Sequence, residues 1–256
     1  DMKKKIILCR DHGGPWQNDH DKKYKVNLKT AMDSAKKSFK TDIDNNFKII
    51  HIDTSEDPHS KISNIEQINR ICELYEFCIN YAKKRKKEIF IEINFGKEDG
   101  GIDSPSKMIK NFTKIQTFCK NNNFPFPTFM VIRNGNHVME MQNVGKFEQI
   151  FKTSNSVKQK KISDCIKLCK KFNTMSKIHN ADYLTNDSIK LHKKLGVHGM
   201  NIAPEFGVAE TIAFLKLLDE HNLEKYKKQF ISLSYKSKKW EKWMLKNSTA
   251  NKLDKA

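Results

Sequence analysis

The chain has 256 residues, 38% of them hydrophobic, and a formal net charge of +18. That supports a sizeable core at a length where an α/β barrel commonly forms one domain, and no run of about 18 apolar residues is present to form a membrane-spanning helix. The charge invites a nucleic-acid partner, but the arginines are only Arg10, Arg70, Arg85 and Arg133 and the rest is lysine spread over every helix, whereas bidentate base and phosphate contacts favour arginine; no nucleic acid and no membrane is expected, and the field suits attraction of phosphorylated small molecules.

The first predicted element is the apolar run from Ile6, a buried strand that carries Asp11-His12 and is broken by Gly13-Gly14-Pro15. An Asp-His pair at the carboxyl end of a buried strand is where an α/β barrel puts its chemistry; the alternative is a helix cap by Asp11 beside a satisfied histidine. A helix over Val26 to Phe39 follows, then a strand from Phe47 that ends in Asp53-Thr54-Ser55. Ser63 and Glu66 match a capping box, and the helix they open carries Ile65, Ile68, Cys72, Tyr75, Ile79 and Ala82 on one face. The third strand, Ile89 to Gly96, contains Glu92 and leads to Glu98 in a polar loop. Ser104 and Pro105 start a helix with Met108, Ile109, Phe112, Ile115 and Phe118 as its stripe.

The fourth strand, Thr128 to Ile132, runs into Arg133-Asn134-Gly135-Asn136-His137. A helix over Val157 to Phe172 precedes the fifth strand, Met175 to Ile178, which ends in His179-Asn180-Ala181-Asp182-Tyr183. The helix from Asp187 to Leu195 leads to a sixth strand, Val197 to Ile202, broken before a helix over Val208 to Leu218, and residues 223–256 read as a helical tail. Strand and helix therefore alternate six times, which predicts an α/β fold with a parallel sheet and crossover helices. No GxGxxG or P-loop follows any strand, which argues against a dinucleotide or nucleoside-triphosphate fold. Six units fit either a doubly wound sheet or three-quarters of an eight-stranded barrel.

The strand ends collect Asp11 and His12, Asp53, Glu92 and Glu98, His137, His179 and Asp182, and Asn201 and Glu205. In a parallel barrel these ends share one face, and three histidines with a carboxylate form a ligand set for Zn2+ or a similar ion. His51 precedes Asp53 by two and points the same way along its strand. The six cysteines contain no CxxC and read as small buried hydrophobes in a reducing, cytoplasmic setting without disulfides. No charged, apolar and small-residue leader is visible.

Asp11-His12-Gly13-Gly14-Pro15-Trp16-Gln17 resembles "GDHLGPNxWQ", and His179-Asn180-Ala181-Asp182-Tyr183 resembles "HSTDYQT". Ile52-Asp53-Thr54-Ser55-Glu56 resembles "IDLSE", Gly96 to Gly100 resembles "GEEDG", and Met200-Asn201-Ile202 resembles "MNID". In this order the motifs resemble the class II, metal-dependent sugar-bisphosphate aldolases, nearest the branch containing the non-catalytic subunit of tagatose-bisphosphate aldolase. The resemblance implies a (β/α)8 TIM-barrel-type domain over residues 1–256, to which this chain supplies about six β/α units without the family's first two strands. It implies His12, His137 and His179 as metal histidines with Glu92 as a further ligand, Asp11 and Glu98 as proton-transfer residues, and Asp53 behind them. Asn180, Asp182, Asn201 and Glu205 would bind a phosphorylated ketose such as tagatose 1,6-bisphosphate. A homo- or hetero-oligomer with an aldolase subunit is expected, and the alternative to an enzyme is a non-catalytic subunit that stabilises such a partner. A Schiff-base aldolase needs a desolvated lysine on a strand, and Lys48 and Lys177 read as lying near strand starts.

Overall fold

A computed structural model of the chain describes residues 6–97, 99–153 and 156–251. The main sheet has six parallel strands in the order β1 (Cys9–Gly13), β2 (Ile49–Asp53), β3 (Phe90–Asn94), β4 (Phe129–Val131), β7 (Met175–Ile178) and β8 (Gly199–Met200). A two-stranded antiparallel ribbon, β5 (Val138–Met139) and β6 (Gln142–Asn143), is inserted after β4. The helices are α1 (Asp19–Lys23), α2 (Leu28–Asp44), α3 (Asn64–Lys84), α4 (Pro105–Asn121), α5 (Phe147–Lys152), α6 (Ser156–Lys171), α7 (Asn186–Leu195), α8 (Pro204–Glu220) and α9 (Glu224–Ser237).

The helices start where short polar side chains relieve the first backbone N–H groups. Asn27 accepts from Thr30 N, Ser63 from Glu66 N and Thr185 from Ser188 N. The predicted capping box at Ser63 is half formed, because the Glu66 carboxylate turns to Arg70 instead of returning to Ser63. Along β2 and β3, residues of one parity are apolar and meet the helices: Ile50, Ile52, Ile91 and Ile93 pack with Phe39, Ile71, Leu74, Tyr75 and Phe112 in the main core. Of the other parity, Ile49 and Phe90 start the strands, and the polar His51, Asp53, Glu92 and Asn94, all buried, face the concave side.

The sheet is curled. Neighbouring strands lie about 4.8 Å apart, so six in a flat sheet would hold the two edges roughly 24 Å apart. Yet Asn201, just after β8, donates from Nδ2 to Asp11 Oδ1 on β1 at 3.0 Å. The result is an open half-barrel: among the described residues β1 and β8 share no strand pairing, and the full closed barrel implied by the resemblance is not formed by them.

Two local expectations are corrected. The predicted strand from Ile6 starts three residues later, at Cys9, and Ile6, Ile7 and Leu8 are exposed; among the described residues β1 is an edge strand paired only with β2. The sixth strand contracts from Val197–Ile202 to Gly199–Met200 at the opposite edge. The tail is helical through α9, then forms a short 3-10 turn, Glu241–Trp243, whose Trp243 carbonyl accepts from Glu140 N at 2.7 Å, tying the tail to the β5–β6 ribbon.

Candidate metal centre at the carboxyl ends of the strands

Asp11 and His12 are consecutive, and in a regular strand they would face opposite sides of the sheet. The register runs Arg10 opposite Ile50 and then Gly13 opposite Ile52, so β1 holds one extra residue there. This bulge puts His12 at φ 44° and aims both Asp11 and His12 at the concave face. Arg10, before the bulge, still points to α2, where it pairs with Ser38 and Asp42. The two glycines that follow are needed for close packing: a Cβ on Gly13 would lie 2.2 Å from Phe39, and one on Gly14 only 1.9 Å from the Asp53 carbonyl oxygen.

Three imidazoles meet at this end of the sheet. Ring centroids are 4.8 Å apart for His12 and His51, 5.1 Å for His12 and His179, and 5.2 Å for His51 and His179. His12 Nδ1 lies 2.7 Å from Asp53 Oδ2, and the His12 backbone N–H donates to His51 Nδ1 at 3.2 Å. His51 Nδ1 is 3.6 Å from Asp11 Oδ1 and 3.7 Å from Glu92 Oε1, while its buried Nε2 has no hydrogen-bond partner among the described residues. Glu92 Oε1 reaches His179 Nε2 at 3.1 Å, and its Oε2 accepts from Lys177 Nζ at 2.7 Å. Asn201 Nδ2 links Asp11 to His179, 3.1 Å from His179 Nε2.

The electrostatics keep the carboxylates charged. Burial pushes the Asp53 carboxyl up, but the His12 hydrogen bond and the neighbouring imidazoles outweigh it and bring it to about 2. Burial likewise opposes ionisation of Glu92, and the His179 hydrogen bond with the His51 and Lys177 charges brings it to about 2. Asp11 is held well below the usual carboxylate range: burial raises it, and the nearby His51 ring, 3.6 Å away, with the charges of His12 and His179 prevails.

Among the described residues two groups have ligand atoms all within 4.8 Å of one another: Asp11, His51 and His179, and His12, His51 and Asp53. Imidazole nitrogens and carboxylate oxygens are the donors of a divalent transition ion, and the buried orphan Nε2 of His51 adds an unmet polar group to the cluster. The residues present therefore fit such an ion.

The sequence-predicted site divides. His12, His179, Asp11, Asp53, Glu92 and Asn201 come together. His137 does not join either ligand group; it lies on the loop between β4 and β5, beside Gly100, with its backbone N–H directed to Asn143 Oδ1. Glu98 lies outside the described residues. Asp182 accepts from Ala203 N at 2.8 Å and Glu205 N at 2.9 Å, and Glu205 Oε2 accepts in return from Tyr183 N at 2.8 Å. Asp182 thus caps the start of α8, taking the Ala203 and Glu205 N–H groups, and Glu205 ties the loop after β7 to the helix. The Asn180 carbonyl is taken by Asn143 Nδ2 at 2.9 Å. Sequence reasoning left His51 and Lys177 outside the site, although His51 shares the parity of Asp53 and Lys177 that of His179.

A scan against protein-family models finds no match, and a search of curated proteins finds none either. Among solved structures, the chain is similar to a probable tagatose 6 phosphate kinase from Sinorhizobium meliloti 1021, with TM-score 0.61 and 16% identity over 79% of this chain and 48% of that one. It is also similar to the glycerol-complexed fructuronate-tagaturonate epimerase UxaE from Cohnella laeviribosi, with TM-score 0.56 and 10% identity over 86% of this chain and 53% of that one. The chain spans about half the length of these structures. At such identities the likeness is one of fold.

Proposed function

We propose that the chain is a metal-dependent aldolase-like protein that cleaves or forms a carbon–carbon bond in a phosphorylated ketose, with tagatose 1,6-bisphosphate as the leading candidate. The observation that carries this reading is the convergence of Asp11, His51 and His179, and of His12, His51 and Asp53, within 4.8 Å at one end of a parallel half-barrel. The sugar-processing proteins named in the two similar structures, and the motif resemblance to class II aldolases, point the same way. In this reading the six parallel strands are part of a (β/α)8-type barrel of the class II aldolases.

His51 and His179 would hold the ion with Asp11 in reach, His12 stands beside them on Asp53, and Zn2+ is the leading candidate. A bound divalent ion supplies a Lewis acid that offsets the negative charge developing on the substrate oxygens as the carbon–carbon bond breaks. Asp53 fixes the His12 ring through the 2.7 Å contact, and Glu92 fixes that of His179. Asp11, whose side chain is 58% exposed and held by Asn201, moves the proton at the substrate hydroxyl. Lys177 is committed to Glu92, so a Schiff base on it is disfavoured. The strong positive charge draws in the phosphorylated substrate, and Glu98 is proposed as the second proton-transfer residue.

A second reading, a non-catalytic subunit of a class II aldolase, is favoured by α8, where Phe206, Ile212, Phe214 and Leu217 are all exposed; an apolar surface of this kind suits a partner. The deciding experiment measures triose phosphate released from ketose bisphosphates with added Zn2+ or Co2+, with and without a catalytic aldolase subunit. Cleavage by the chain alone that is lost in Asp11→Asn supports the enzyme. No cleavage alone, together with a partner activity raised equally by wild type and Asp11→Asn, supports the subunit.

A further inference from the structure

A cavity of about 570 Å³ lies at the opposite end of the strands from the histidine cluster. Its walls come from Thr128 just before β4, Met175 at the start of β7 and His198 just before β8, with the last turns of α6 alongside. The volume is that of an ordinary small-molecule site, whereas the cleft beside His179 holds about 10 Å³.

The chemistry of the lining is one-sided. Phe126, Pro127, Ile166 and Leu195 give it an apolar wall, and it includes Lys167, Lys170 and His198 but no acidic residue. Lys167 and Lys170 are three apart on α6 and so share a face. Neither makes an ion pair among the described residues, although the chain forms many such pairs elsewhere. The Thr174 hydroxyl in the wall is already used, donating from Oγ1 to the Pro127 carbonyl at 2.7 Å. His198 is oriented by the sheet, because its Nδ1 accepts from the Ser176 backbone N–H at 3.2 Å. With Nδ1 as acceptor, the neutral ring carries its proton on Nε2, a donor with no partner among the described residues.

We propose that this cavity binds a small organic phosphate monoester, its body against Phe126, Pro127, Ile166 and Leu195 and its phosphate held by Lys167, Lys170 and His198 Nε2–H. A tetrahedral dianion uses three such donors, and the apolar wall calls for an organic body rather than inorganic phosphate. The site is separate from the metal centre and does not depend on the proposed aldolase chemistry.

Titration of the full chain with phenyl phosphate, followed by calorimetry, tests it. Phenyl phosphate is expected to bind at least tenfold more tightly than inorganic phosphate. Lys167→Glu combined with Lys170→Glu should weaken it tenfold or more, and these exposed positions leave the fold intact. His179→Ala should leave the affinity unchanged. Equal affinity for phenyl and inorganic phosphate, unaltered binding in the charge-reversed variant, or loss of binding in His179→Ala would each overturn the proposal.

Discussion

Lys177→Met probes the floor beneath the histidines. Lys177 Nζ sits 2.7 Å from Glu92 Oε2, with side chains 16% and 1% exposed. Removing one partner of a buried pair costs about 3–5 kcal/mol, because the other charge stays desolvated. Here the Glu92–His179 contact at 3.1 Å survives, so the lower end, about 3 kcal/mol, is expected at neutral pH. Glu92 has its folded pKa at about 2, below its unfolded value of about 4.3. Its ionised form therefore contributes stability above about pH 4 that is lost as the pH falls toward 2, and the gap between variant and wild type should narrow over that interval. Combining Lys177→Met with Glu92→Gln removes both charges and keeps an amide beside His179. The double variant should be more stable than Lys177→Met alone, with a coupling of about 1–3 kcal/mol. Urea unfolding followed by circular dichroism at pH 7 and pH 3 gives all four free energies. A Lys177→Met cost within about 0.5 kcal/mol of zero, or strict additivity in the double variant, would refute the buried-pair argument.

Other consequences follow from the same contacts. Asp182→Ala removes the acceptor of Ala203 N and Glu205 N and should cost about 1–2 kcal/mol, with faster amide exchange confined to the start of α8. His192 is buried, stacked on Phe147 at 3.8 Å, with Nδ1 toward the Ser188 carbonyl and Nε2 facing Asn134 Nδ2. Burial lowers its pKa below the ordinary value, so stability present above about pH 6.5 should fall as the pH drops below it; the fall should be smaller in His192→Gln, as read from urea midpoints between pH 7.5 and 5. Borohydride added with a ketose phosphate should give no adduct on Lys177 by peptide mass analysis, since its ammonium is held by Glu92; an adduct there would reopen the Schiff-base route.

The order of the six sheet strands and their longer helices was legible because each apolar run ends in glycine, proline or a polar cluster, whereas α1, the β5–β6 ribbon and α5 were not read. The ends of the sheet were less so: Ile6 to Leu8 have the composition of a buried strand, and only their place outside an edge leaves them exposed. Within the site, Asp53, Glu92 and His179 could be read from strand position. The joint inward aim of Asp11 and His12 could not, since it arises from a bulge that pairing with β2 imposes. The parity of His51 and Lys177 was readable, but their partners on β1 and β3 depend on how the sheet curls. Asp182 and Glu205 look like ligand-binding carboxylates in sequence, and their reciprocal capping emerges only when the loop after β7 meets the start of α8.

The central claim is that the strand ends hold a divalent ion, and its most direct test is the Zn2+ bound per chain in wild type, His51→Ala, His179→Ala and His137→Ala. About one ion is expected in wild type, with loss of most of it in His51→Ala and His179→Ala and near-full retention in His137→Ala, because three convergent donors are the usual minimum for a site of this type. Absence of bound metal in wild type, or loss confined to His137→Ala, would contradict it.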